Sequence, residues 1–93
     1  MKLPIEKFGT ILISRPAGRE AALAALAYSI PKSGDDRIEL DFSKVEVMTP
    51  SWMDEFLQTL YDQVPHERIE IIEGENASVQ MTMKTIREAP SVS

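Results

Sequence analysis

The chain has 93 residues, 27% of them charged, and a formal net charge of −5 at pH 7, which is the size and balance of one globular domain. It contains no cysteine, which excludes disulfides, thiolate metal sites and cysteine nucleophiles and agrees with a reducing compartment. The negative balance argues against nucleic acid and anionic membrane surfaces as partners.

No apolar run approaches the ~20 residues of a membrane span, and the first residues lack the apolar core of a signal peptide. We therefore expect a soluble, cytoplasmic protein that forms a single domain over residues 1–93. Residues 89–93 are predicted to be a frayed tail.

The first third of the chain predicts a strand region followed by a helix. Residues 3–8 are a weak strand candidate, which Pro4 would confine to a sheet edge, and residues 10–14 (TILIS) are a stronger one. Residues 15–18 (RPAG) then end the strand and begin a helix that the alanine-rich residues 19–29 continue, with Ser14 or a neighbour as its cap. The spacing predicts that one stripe of it faces the core, namely Leu23, Leu26, Ala27 and Ile30. The other alanines, Ala21, Ala22, Ala24 and Ala25, would allow the helix to approach the sheet closely.

The middle of the chain reads as a strand, a loop and a helix. Apolar and acidic residues alternate from Ile38 to Phe42, the pattern of a strand with one buried face. After a loop over residues 43–48, Thr49 and Ser51 can both cap a helix, and Pro50 suits its first turn. Ser51-x-x-Asp54 also fits a variant capping box. The apolar stripe of this helix is Trp52, Met53, Phe56, Leu57, Leu60, Tyr61 and Val64.

The last third predicts one more strand and one more helix. Residues 68–72 (RIEII) alternate, with Ile69 and Ile71 on one face, and Asn76 or Ser78 can cap a helix that carries Val79, Met83 and Ile86. Strands that alternate with helices indicate parallel crossovers. We therefore predict an α/β fold with a mixed, mostly parallel sheet of about four strands. Because the strands alternate, helices should cover mainly one face.

The central segment resembles a known family. Residues 40–42 (LDF), the loop residues Val45 and Val47, and residues 49–56 (TPSWMDEF) resemble the STAS-like domain, the fold of bacterial anti-sigma-factor antagonists. The resemblance is nearest to the branch of that family whose function is unknown. Gly9 and the pair Ser14-Arg15 also resemble the opening of that branch. The specific part of the likeness is residues 38–56.

The resemblance implies a signalling domain that regulates a protein partner such as a kinase-like ATPase or an anti-sigma factor. In the antagonists, a serine at the loop-to-helix junction is phosphorylated within an Asp-Ser-Ser-Gly motif. Here Pro50 stands at the acceptor position, Thr49 at the aspartate, Ser51 at the second serine and Trp52 at the glycine, so the family's switch does not carry over directly. A shift of one residue would offer Ser51 or Thr49 as the acceptor.

The predicted function is therefore protein–protein interaction and not catalysis, with docking through residues 45–49 and 51–55. The predicted partner-binding residues are Val47, Thr49, Ser51, Trp52, Asp54 and Glu55. Four of these have a structural alternative: Ser51 as a helix cap worth about 1 kcal/mol, Trp52 as core, and the two acids as favourable charges in a first helical turn.

Two other functions and one assembly state are alternatives. A metal-dependent enzyme would use Asp41, Asp54 and Glu55 as hard oxygen ligands. A nucleotide or small-ligand sensor would need a cavity near Arg15, Thr49 and Ser51. A homodimer would associate through an open sheet face or an edge strand. No catalytic residue, metal ligand or cofactor is predicted, and His66 reads as a solvated loop residue.

Overall fold

The computed structural model describes residues 1–31, 34 and 36–88. Strands and helices alternate along this part of the chain, with 3₁₀ turns at Ile5–Phe8 and His66–Arg68. The elements are β1 (Lys2–Pro4), β2 (Ile11–Leu12), α1 (Arg15–Tyr28), β3 (Ile38–Asp41), β4 (Val47–Met48), α2 (Pro50–Tyr61), β5 (Ile69–Ile72) and α3 (Ala77–Glu88). The predicted tail at residues 89–93 lies outside the described residues.

The described strands form two small sheets, one of β1, β3 and β5 and one of β2 and β4, and every pairing is parallel. The predicted α/β class and mostly parallel pairing are confirmed, whereas the single sheet of about four strands is not, because the described strands divide into sheets of three and two. The chain leaves β1 after Pro4 into a 3₁₀ turn and restarts at Gly9, whose φ of 121° suits glycine. This break separates β2 from β1 and cuts short the strand predicted over residues 3–8.

The three-stranded sheet has one apolar and one polar face. In register, Leu3 lies beside Leu40 and Leu40 beside Ile71, and these side chains face the core. On the opposite face Glu39 lies between Lys2 and Glu70, and the latter two side chains are exposed. The prediction that one face of the sheet stays open is confirmed for this sheet.

The most extensive contact between elements is that of α1 with α2. The helices approach so closely that a Cβ added at Gly18 would lie 2.3 Å from the backbone oxygen of Trp52. The buried face of α1 consists of small residues and one leucine, namely Gly18, Ala21, Ala22, Ala25 and Leu26.

The stripe predicted for α1 is therefore wrong in part. Leu26 and Ile30 are buried, but Leu23 is 47% exposed and Ala27 is also exposed. The prediction followed the helical spacing that starts at Leu23, whereas α2 packs closely on the neighbouring face, which carries the small residues. The stripes predicted for α2 and α3 lie in or against the core as expected.

Within the described ranges, the longest helices are too short and too polar to cross a membrane.

Candidate functional site

Two strand-to-helix corners lie side by side, because β2 and β4 are parallel neighbours and each leads directly into a helix. Ser14 caps α1 by accepting a hydrogen bond from the backbone N–H of Ala17 at 3.2 Å, and Thr49 caps α2 by accepting one from Trp52 at 3.5 Å. A proline follows each cap within two residues. We call residues 13–16 the first corner and residues 47–51 the second corner.

The second corner is anchored to β2 through Thr49. Its backbone N–H donates to the carbonyl of Leu12 at 3.0 Å, and its hydroxyl lies 3.4 Å from the same oxygen. The prediction that Thr49 caps the helix is confirmed. Ser51 is not the cap: it occupies the second helical position, where its side chain is exposed. Among the described residues, Ser51 therefore offers an accessible hydroxyl at this corner and Thr49 a half-buried one.

Trp52, the residue that follows the second corner, anchors it in the core. Its side chain is 1% exposed and its ring stacks on Phe56, with centroids 4.8 Å apart and planes at 12°. The structure therefore favours the core interpretation of Trp52, and its ring does not face a partner in this conformation. Val47, at the start of the same corner, is 39% exposed.

Asp54 and Glu55 join α2 to α1 through Arg15. Arg15 Nη1 lies 2.8 Å from Asp54 Oδ2 and 3.5 Å from Glu55 Oε2, and Gln58 donates to Asp54 at 3.0 Å. The hydrogen bond from Arg15 holds the pKa of Asp54 below its usual value, and the same bond raises the pKa of Arg15. Arg15 is thus paired with two carboxylates of α2, although its side chain remains 54% exposed.

Asp41 is engaged elsewhere, at the end of β3. It accepts a hydrogen bond from the backbone N–H of Ser43 at 2.9 Å and lies 3.5 Å from Lys2 Nζ. Hydrogen bonds from the Ser43 hydroxyl and backbone N–H lower the pKa of Asp41. In the described part of the chain, no three His, Asp or Glu residues are arranged to hold a metal ion. The carboxylate trio of the enzyme alternative is therefore not brought together.

Two hydroxyl groups of α3 bind the outer edge of β4, a feature that we did not predict. Ser78 accepts from the backbone N–H of Met48 at 3.0 Å and lies 3.1 Å from its carbonyl, which also accepts from Thr82 at 2.6 Å. Asn76 caps α3 through Val79 at 3.1 Å, so the open choice between Asn76 and Ser78 falls to Asn76. The available signal was Ser78 and Thr82 at i, i+4 beside the apolar stripe.

Two clefts among the described residues border α1. One, of about 520 Å³, is lined by Arg19, Glu55, Gln58, Thr59, Tyr61, Asp62 and His66. The other, of about 280 Å³, is lined by Phe8, Ala17, Glu20, Ala21 and Ala24. Neither cleft includes Arg15, Thr49 or Ser51, where the sensor alternative requires a cavity.

His66 is exposed, and its ring stacks on that of Tyr61 with centroids 3.6 Å apart. Burial raises the pKa of Tyr61.

Comparison with known proteins gives a family. A family model described as a STAS-like domain of unknown function matches residues 24–79, more than half of the chain. The protein belongs to this STAS-like family, as its central segment predicts. The matched segment contains β3, β4, α2 and β5, whereas β1, β2 and the first corner precede it. No curated protein and no solved structure matches the chain.

Proposed function

We propose that this protein is a non-catalytic regulatory domain that binds a protein partner through the second corner and the first turns of α2. The observation that carries the proposal is the exposure of Val47 and Ser51 on a rigidly held corner. Val47 supplies apolar contact area, and Ser51 supplies a polar contact. The resemblance of residues 38–56 to anti-sigma-factor antagonists suggests a partner of the kinase-like ATPase or anti-sigma type.

Rigidity favours binding at this position. Thr49 joins the corner to β2 by hydrogen bonds, and Met48 joins it to α3 by hydrogen bonds. The ring of Trp52, the next residue, is buried in the core. A surface that is ordered before binding loses less conformational entropy when a partner docks. Asp54 and Glu55, partly exposed beside Arg15, add acidic groups that would steer a basic partner surface.

Ser51 is the hydroxyl at this corner that fits a modification switch. Its side chain is exposed, whereas Thr49 is half-buried and occupied as a cap. A phosphate at Ser51 would carry about −2 charge at the start of α2, favoured by the helix dipole and opposed by Asp54 one turn later. The hydrated phosphate would disrupt an apolar contact that a partner makes at Val47. Phosphorylation would thus release the partner.

The test is affinity capture from the native host with wild type, Val47→Asp and Ser51→Asp as baits. Tyr28→Asp is the matched control, because Tyr28 is 89% exposed and lies at the far end of α1, ~20 Å from the corners at 1.5 Å per residue. Wild type and the control should enrich the same kinase-like or anti-sigma-type protein. Both corner variants should lose it, and binding of the purified pair should weaken by about tenfold or more.

Equal recovery by all four baits would place the binding surface elsewhere on the domain. Mass spectrometry of the protein purified from its host should find phosphate on Ser51 under some growth conditions. If only unmodified Ser51 and Thr49 are found, the switch fails while the docking surface stands.

A further inference from the structure

The two outer edges of the β2–β4 sheet differ. On the β4 side, Ser78 and Thr82 bind the backbone N–H and carbonyl of Met48. On the β2 side, the register shows which backbone groups are free. The backbone N–H of Val47 donates to the Thr10 carbonyl, and that of Thr49 donates to the Leu12 carbonyl. The backbone groups of the even-numbered residues along β2 therefore point toward β4.

The backbone groups of Ile11 and Ile13 consequently point to the opposite edge, because successive residues of a strand alternate their hydrogen-bonding direction. No strand of the described chain pairs with β2 on that edge. The side chains of the same two residues, which lie on one face of the sheet, are also uncovered: Ile11 is 60% exposed and Ile13 is 59% exposed, and Ile11 lies in register beside Val47.

Natural proteins usually protect such an edge with a charge, a proline or a bulge. Residues 8–14 (FGTILIS) contain no charged residue and no proline, although 27% of the whole chain is charged. The open edge of β2 is thus a neutral, β-branched segment, which is typical of a strand that pairs with another chain.

We propose that β2 pairs antiparallel with β2 of a second copy of this chain, across a two-fold axis at Leu12. In this register, Ile11 of one copy faces Ile13 of the other. Both residues direct their N–H and carbonyl groups outward, so each facing pair exchanges two backbone hydrogen bonds. The same register places the exposed isoleucines of the two copies beside one another.

The edge of β2 suits a second copy as the occupant, because it carries no charge and is complementary to its own two-fold image. Each copy carries a formal net charge of −5, so most surfaces of two copies repel one another. The segment of residues 8–14 is a place where they can meet without facing like charges. The dimer would extend the sheet to β4-β2-β2-β4 and leave Val47 of each copy on its outer face. This proposal does not rest on the proposed function.

The first test is sedimentation equilibrium of the intact chain over a wide range of concentration. Wild type should pass from monomer to dimer as concentration rises. Ile11→Lys and Ile13→Lys should each weaken dimerisation by about tenfold or more, because the apolar contact is lost twice by symmetry. Leu23→Lys, at an exposed leucine of α1, should dimerise like wild type. Thermal melts of all variants check that they are folded.

The second test fixes the register by cross-linking, which the absence of native cysteine makes clean. A mixture of Ile11→Cys and Ile13→Cys chains should form disulfide-linked dimers faster than either alone. Opposed residues lie ~5.5 Å apart, whereas the two copies of Ile11 would be about 9 Å apart, beyond disulfide reach. A mixture with Leu23→Cys is the control.

A chain that is monomeric at every concentration would overturn the proposal and leave the edge for a strand of another protein. A dimer that tolerates both lysine variants, or cross-linking without preference for the mixed pair, would also overturn it. Each of these results leaves partner capture by Val47 and Ser51 unaffected, so the two proposals fail separately.

Discussion

The two corners begin with the same local pattern and differ in what surrounds them. In each, a hydroxyl residue caps a helix and a proline follows within two positions. The first corner is held by the Ser14 cap and by the exposed ion pair of Arg15. The second is held by β2, by α3 and by a buried tryptophan. Local chemistry therefore specifies where a helix starts, and tertiary contacts decide how firmly the corner is fixed.

The largest expected difference between the corners comes from Trp52. Trp52→Ala should lower the free energy of unfolding by about 3–5 kcal/mol, because it removes a fully buried ring and leaves a cavity against Phe56. At the first corner, Ile13→Ala should change it by about 0.5 kcal/mol or less, since that side chain is mostly exposed. Urea denaturation measures both. Similar losses would show that the second corner is not the better anchored one.

The contact between α1 and the second corner gives the next effect. Gly18→Ala should destabilise the protein by about 1–3 kcal/mol, because the new Cβ would meet the Trp52 backbone at 2.3 Å. This loss must exceed the helix propensity gain of about 1 kcal/mol that alanine brings. The matched control is Ala27→Gly, at an exposed position of the same helix, which should cost about 0.5–1 kcal/mol. If Gly18→Ala raised the melting temperature, the helices would not be in close contact.

The hydroxyl groups give a third, smaller effect. Thr49→Val should cost about 1–2 kcal/mol, because it removes a cap and a hydrogen bond to Leu12. Ser14→Ala should cost about 0.5–1 kcal/mol, since Ser14 acts as a cap at an exposed site. Denaturant melts of the two variants compare the corners directly. A larger loss at Ser14 would reverse the comparison.

These differences explain what the sequence could predict. The cap at Thr49, the proline after it and the apolar stripe of α2 are local signals, and the structure confirms them. The family resemblance, based on residues 38–56, is also confirmed. Whether the ring of Trp52 is buried depends on α1, which lies more than twenty positions earlier in the chain, so the sequence left two interpretations open.

The errors have the same origin. β4 is two residues long, too short for an alternating pattern, and it forms because β2 and α3 supply partners for its backbone. Helical spacing alone predicts Leu23 in the core, whereas the small residues on the face of Gly18 are those that α2 covers. The ion pair of Arg15 with Asp54 joins residues far apart in sequence, and no local pattern predicts it.

That ion pair gives the smallest expected effect and a pH dependence. The pKa of Asp54 is lower in the folded chain than its ordinary value of 3.8, chiefly because Arg15 donates a hydrogen bond to its carboxylate. The stabilisation is therefore present above about pH 4 and is lost as the pH falls through the lower, folded-state pKa. Arg15→Met should flatten the fall of the melting temperature with acidification, while changing the melting temperature little near neutral pH, since the pair is exposed to water.

Lys2→Met is the matched control, because it removes the cation beside Asp41, whose pKa is lowered mainly by Ser43. Its acid profile should stay closer to that of wild type. Added salt should reduce the difference between wild type and Arg15→Met. Identical acid profiles for those two proteins at low salt would mean that the first corner is held by the Ser14 cap without help from Arg15.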